Sequence, residues 1–180
     1  QVLVRRLLSG ECGQLAKVIV LSRDEAKQHE MRLAYQGRRV GTDEVIYRNF
    51  THLLEFRIGD VRSYADVRSA VASVDIVINA AALKQVPTCE YFPEQAMLTN
   101  CVGTANVVRA IWDGRVSVET VVGVSTDKAC KPVNAMGMSK ALAERMVTAA
   151  NILNSHTRFV NVRYGNVLAS RGSVLPLFHR

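Results

Sequence analysis

The sequence predicts an α/β fold built on a parallel sheet, and three observations support it. Short apolar runs of strand length recur along the 180 residues, stretches with helical start signals separate them, and small or polar residues gather where the runs end. Strands alternating with helices in this way form βαβ units, whose strands are parallel and covered by helices.

The opening QVLVRRLLSG reads as the remainder of a first helix. KVIVLS (17–22) is the first strand, and a helix is expected near 24–34. Residues 36–53, with GRRVGTDEVIYRNF, form a longer polar connection without a clear element. LEFRIGDV (54–61) is the next strand. The helix predicted over 63–72 starts at Ser63, which with Asp66 three residues on resembles a capping box. VDIVINAAA (74–82) is the third strand, followed by a helix over 93–112 whose first turn suits Pro93. ETVVGVS (119–125), a helix over 135–151 and the strand RFVNVRYGNV (158–167) complete the pattern.

This is the layout of a Rossmann-like, doubly wound parallel sheet. Such a sheet begins with a strand and a Gly-rich turn whose backbone N–H groups meet a pyrophosphate at a helix N-terminus. Neither precedes the opening helix, and no substrate-covering lobe follows LPLFHR. The expectation is therefore one dinucleotide-binding domain over 1–180, lacking its first strand, Gly-rich loop and C-terminal lobe, as a fragment of a longer enzyme.

Composition narrows the classes. With 48% hydrophobic and 22% charged residues the chain is an ordinary globular one rather than disordered. No apolar run reaches 18 residues and the opening lacks a signal-peptide core, so neither a membrane partner nor secretion is expected, and the cytoplasm is the expected compartment. Cys12, Cys89, Cys101 and Cys130 are scattered, which suits reduced thiols, and His29, His52, His156 and His179 show no ligand spacing, so no metal is expected. The net charge of +7 comes from dispersed bases without interleaved aromatics, which argues against nucleic acid. Polyanionic ligands, a dinucleotide and a nucleotide-diphosphate sugar, account for the surplus. A homo-oligomer is expected.

Several residues stand where chemistry would sit. Arg23 follows the first strand, where an acidic residue would favour NAD; a guanidinium there pairs with a 2′-phosphate and favours NADP over NAD, assisted by Ser22 and Lys27. The same SRDE segment also makes a good helix start. Asp60, with Val61, ends the second strand and is placed to accept from an adenine amino group, or to form a turn. Ala80, Ala81 and Ala82 allow close approach of a cofactor, or serve packing, and Lys84 follows in the crevice loop. Ser125 at a strand end and Lys140 in the next helix have the separation of a short-chain dehydrogenase site, but Met136 occupies the position four residues before the Lys where a catalytic Tyr would stand. A thioether moves no protons near neutral pH. Thr126, Asp127 and Lys128 beside Ser125 offer an acid and a base instead, or else a surface ion pair in a loop.

The blocks FRIGDVRSY, VINAAALKQVPTCEYFP, STDKACKPVNAMGMSKALAE and VRYGNVLASRGSVLP resemble the CapD-type polysaccharide biosynthesis proteins, extended short-chain dehydrogenases that include UDP-N-acetylglucosamine 4,6-dehydratases inverting carbon 5. The resemblance covers residues 17 to 180, and members with Met in the Tyr position occur in that family. It implies a bound NADP, a UDP-sugar substrate and a redox-neutral cycle. Lys128 would take the carbon 5 proton, Asp127 would protonate the departing hydroxyl, and Thr126 would bind near the oxygen on carbon 4. Lys140 would hold the nicotinamide ribose, with Lys84 and Asn100 beside the ligands. Tyr164, Gly165, Asn166 and Val167, then Arg171, Gly172 and Ser173, would line the nicotinamide and the substrate diphosphate. A UDP-sugar 4-epimerase and a non-catalytic nucleotide-binding scaffold are the alternatives.

Overall fold

The structure, a computed structural model, describes residues 2–36, 53–113 and 116–165. The chain divides into two compact units, Gln1–Asp60 and Val61–Arg180.

In the first unit helix α1 (Val2–Leu8) precedes strand β1 (Val18–Ser22), helix α2 (Glu25–Gln36) and strand β2 (Leu54–Ile58). β1 and β2 pair in parallel, with Val18 opposite Leu54 and Ser22 opposite Ile58. Helix α2 is fastened to the ends of both strands by one buried side chain, since Gln28 Nε2 donates to Ser22 O at 2.9 Å and to Arg57 O at 2.8 Å.

The second unit holds helix α3 (Tyr64–Val71), strand β3 (Ile76–Asn79), helices α4 (Val86–Tyr91) and α5 (Pro93–Met97), a π turn (Leu98–Val102), helix α6 (Gly103–Asp113), strand β4 (Thr120–Thr126), a 3-10 turn (Asp127–Ala129), helix α7 (Ala135–Leu153) and strand β5 (Arg158–Tyr164). Its sheet has the order β3-β4-β5, all parallel. The expected strands and the helices over 63–72 and 135–151 are present, and Ser63 Oγ caps α3 by accepting from Asp66 N at 3.3 Å. The helix expected over 93–112 is instead three segments with the π turn in the middle. α4, which carries Pro87 in its first turn, was not anticipated.

Every second residue of β4 is buried, so Val121, Gly123 and Ser125 share one face. Val121 and Phe159 join Val67 and Val71 of α3, Val107 and Ile111 of α6, and Val147 of α7 in one core. Each such buried Val contributes about 1.5–3 kcal/mol by leaving water. Asn151 pins α7 to β5, donating to Phe159 O at 2.8 Å and accepting from its N–H at 2.9 Å. The result is a well-anchored β4 whose carboxyl end opens directly into Asp127 and Lys128.

Candidate active site

Thr126 closes β4 and caps the turn that follows, its Oγ1 accepting from Lys128 N at 3.4 Å. The same hydroxyl donates to Asp127 Oδ1 at 2.9 Å, and Lys128 Nζ reaches that oxygen at 3.2 Å. Three successive side chains thus share one carboxylate oxygen at the carboxyl edge of the sheet. Asp127 faces the end of β5, since a Cβ on Gly165 would lie 3.9 Å from Asp127 Oδ2. The hydroxyl of Thr126 and then the ammonium of Lys128 hold the Asp127 carboxyl below its usual pKa. As it stands the pair is a carboxylate beside an ammonium. The side chain of Lys128 is 40% exposed and that of Asp127 53%. Thr126→Val is expected to move the Asp127 titration upward, toward an ordinary carboxylate; carbon-13 NMR of the labelled carboxyl reads this, and an unmoved midpoint would contradict the hydrogen bond.

Helix α7 approaches this turn closely because of two local choices. Asn134 Oδ1 caps the helix at Gly137 N, 2.8 Å away, and Gly137 has no side chain where a Cβ would lie 2.5 Å from Lys128 O. Lys131, between turn and helix, takes the left-handed backbone conformation at φ 51°. Met136 is 4% exposed and packs with Cys89 and Ala96, so the position expected of a phenol is filled by core. One turn on, Lys140 is buried and its Nζ donates to Val124 O at 2.6 Å. Burial pulls the Lys140 pKa down, against an opposing pull from Glu144. Ser125 Oγ is buried without a well-formed hydrogen bond, yet lies near enough to the Glu144 carboxyl to help lower its pKa.

Asn100, expected beside the ligands, is 1% exposed in the π turn. Its Oδ1 accepts from Leu83 N at 2.8 Å, and its Nδ2 donates to Leu83 O at 3.0 Å and Ser139 Oγ at 2.9 Å. Both amide protons are therefore engaged inside the protein, and the side chain joins the loop after β3 to α7. That loop exposes Ala80, Ala81, Ala82 and Lys84. Val61, whose carbonyl accepts from Asn106 Nδ2 at 3.0 Å, lies against Gly103. Tyr164 stands opposite Thr126 in the β4–β5 register, with Gly165 next. Asn166, Val167, Arg171, Gly172 and Ser173 lie outside the described residues.

In the first unit, Arg23 Nη1 lies 3.5 Å from Asp60 Oδ2, so the two groups expected at an adenosine end face each other. Ser22 Oγ accepts from Asp24 N at 3.1 Å, and Asp24 accepts from Lys27 N at 3.0 Å and Lys27 Nζ at 2.5 Å. Ser22 and Lys27 are thus engaged in the helix start that the SRDE segment also allowed.

Sequence reasoning missed Glu144 and Arg163, which form a forked pair, Nε to Oε1 at 2.8 Å and Nη2 to Oε2 at 2.5 Å. The available signal was spacing: Glu144 is four residues beyond Lys140 on the same helix face. Among the described residues no cluster of His, Cys, Asp and Glu suits a metal ion, and no helix is long and apolar enough to cross a membrane.

Residues 1–180 match a family model described as polysaccharide biosynthesis protein. The chain belongs to that family. Among similar members, a UDP-glucose 4-epimerase of Rickettsia rickettsii (strain Sheila Smith) is 45% identical over 179 residues, covering 98% of this chain and 48% of the relative. The protein of the same name from Rickettsia prowazekii (strain Madrid E) is 44% identical over equal coverage. This polysaccharide biosynthesis family chain spans about half the length of those curated relatives. The crystal structure of Pen from Bacillus thuringiensis superposes with a TM-score of 0.81 at 38% identity, over 97% of this chain and 50% of that one. A dTDP-glucose 4,6-dehydratase, DesIV of Streptomyces venezuelae, superposes with a TM-score of 0.72 at 22% identity, over 97% and 56%, and shows the shared fold alone.

Proposed function

We propose that this chain carries the dinucleotide-binding and proton-transfer residues of a nucleotide-sugar 4,6-dehydratase acting on UDP-N-acetylglucosamine with inversion at carbon 5. The observation that supports this reading best is the Thr126–Asp127–Lys128 cluster, with Lys128 Nζ 3.2 Å from Asp127 Oδ1, beside a helix that has Met136 where a phenol would be needed. The residues present fit a dinucleotide chemically: Arg23 suits a 2′-phosphate, Asp60 an adenine amine, the exposed Ala80–Ala82 stretch a close approach, and Lys140 a ribose. NADP is the form that Arg23 favours. The bound nicotinamide supplies the hydride acceptor for carbon 4 and the donor for carbon 6.

The protons balance within the cycle. They leave from the carbon 4 hydroxyl and from carbon 5, and they arrive at the departing carbon 6 hydroxyl and back at carbon 5. Thr126 Oγ1 binds the carbon 4 hydroxyl and relays its proton along the hydrogen bond to Asp127 Oδ1, Asp127 passes that proton to the leaving carbon 6 hydroxyl, and Lys128 Nζ removes the carbon 5 proton made acidic by the adjacent ketone and later returns it to carbon 5. As substrate binds, Lys128 sheds its ammonium proton to solvent and serves as the neutral amine, while Asp127 begins as the carboxylate that the hydrogen bonds from Thr126 and Lys128 favour.

A second reading is favoured by the names of the Rickettsia relatives: a UDP-sugar 4-epimerase would oxidise carbon 4 and return hydride to the opposite face without eliminating water. Incubating the full-length protein with UDP-N-acetylglucosamine and weighing the product separates the two. A product lighter by one water is expected; a product of unchanged mass with altered carbon 4 configuration would replace the dehydratase reading with the epimerase one.

A further inference from the structure

A buried carboxylate beneath Lys140 has no part in the reaction scheme above. Glu144 and Lys140 are each only 9% exposed, one helical turn apart, and line the same small recess with Ser125, Asn79 and Asn161. Lys140 Nζ has a neutral hydrogen-bond partner, the carbonyl of Val124. An ammonium so far from water requires a compensating charge nearby, because desolvation otherwise favours the neutral amine. Glu144 is the acid in that recess. Arg163 grips both of its carboxylate oxygens from β5, and Asn161 Nδ2 holds its backbone carbonyl at 3.0 Å.

We propose that Glu144 is a positioning residue which, clamped by Arg163, keeps Lys140 cationic inside the recess. The functional consequence rests on the dinucleotide reading above, since it is the cation that would hold the ribose. Arg163 chiefly holds the Glu144 carboxyl below its usual range, so it is ionised wherever Lys140 titrates. Burial lowers the Lys140 pKa, and the Glu144 charge and the Cys101 thiol oppose that fall. Cys101 sits in the π turn with its own pKa raised by burial, which keeps it neutral over most of the range. Asp127 and Lys128, beyond the end of β4, are paired with each other. Glu144 is thus the permanent counter-charge on the Lys140 side of the sheet, and Arg163 is a second cation whose removal would relieve Lys140.

The sign follows. Replacing Glu144 with glutamine leaves burial unopposed, so Lys140 loses its proton at lower pH. Replacing Arg163 with methionine removes a positive neighbour while Glu144 stays ionised, so the Lys140 midpoint stays or rises. A purely structural clamp would move both variants alike.

The full-length protein, labelled with lysine carrying carbon-13 at Cε, is titrated by NMR as wild type, Glu144→Gln and Arg163→Met, with the Lys140 signal assigned by its loss in Lys140→Met. The expected result is a downward midpoint shift in Glu144→Gln and none, or an upward one, in Arg163→Met. Equal midpoints in wild type and Glu144→Gln, or a downward shift in Arg163→Met, would overturn the proposal. If Glu144→Gln does not fold, Arg163→Met decides it alone: an unmoved or raised midpoint supports it and a lowered one overturns it. The titration needs neither substrate nor turnover, so it is independent of the dehydratase reading. A parallel pH profile of NADP binding tests that link: affinity lost at lower pH in Glu144→Gln supports the ribose role, and a shifted midpoint with unchanged binding refutes that role alone.

Discussion

Lys128→Ala is expected to lower turnover of the nucleotide sugar by about 10²–10⁴-fold, the range for loss of a positioned general base. NADP affinity and thermal stability should be unchanged. The side chain is partly exposed at the end of β4, and its removal opens no core. With Lys128 gone, Asp127 still accepts from Thr126 at 2.9 Å, so the turn keeps its first hydrogen bond. No other amine among the described residues shares that carboxylate oxygen. Lys140 is engaged with Val124 O and has burial rather than openness around it. The check is kcat at saturating substrate together with dinucleotide binding by fluorescence. A rate within a factor of two of wild type would remove Lys128 from the chemistry.

The second large effect arises at a residue with no titrating group of its own. Gly137→Ala places a Cβ 2.5 Å from Lys128 O and 3.1 Å from Pro132 Cβ, and the nearer of these is backbone, which cannot rotate away. Either α7 or the Asp127–Ala129 turn must move. Overpacking of this kind costs about 1–3 kcal/mol of stability. A displacement near 1 Å at a reacting group lowers turnover by roughly 10²-fold. Urea denaturation and kcat should therefore both fall in Gly137→Ala, whereas Met138→Ala on the exposed side of the same helix should change neither appreciably. Full activity in Gly137→Ala would mean that the turn tolerates displacement, and that its present geometry is not what sets the rate.

How much of this was legible beforehand differs by element. The strands could be read because apolar alternation is a local property, and β4 shows it plainly at Val121, Gly123 and Ser125. The cap at Ser63 was legible for the same reason. The π turn was not, since nothing within Leu98–Val102 announces an extra residue per turn; it is accompanied by bonds from Asn100 to Leu83 and Ser139, which are distant in sequence. The Thr126–Asp127–Lys128 cluster was found as residue types, but its hydrogen bonding was not. Sequence shows a carboxyl beside an amine, whereas only the structure shows that Thr126 and Lys128 both donate to Oδ1. Glu144 was passed over because a charged residue in the segment ALAERM looks like a solvated face until Arg163, on β5, is seen to bury it.

The clasp made by Asn100 fixes the loop after β3 independently of the side chains that the loop exposes. Because one amide welds the loop after β3 to α7 through Leu83 and Ser139, the exposed residue at position 84 projects from a platform already locked to the helix that carries Lys140. Exchange of that exposed side chain therefore leaves the three hydrogen bonds of Asn100, and the seating of the helix behind them, in place.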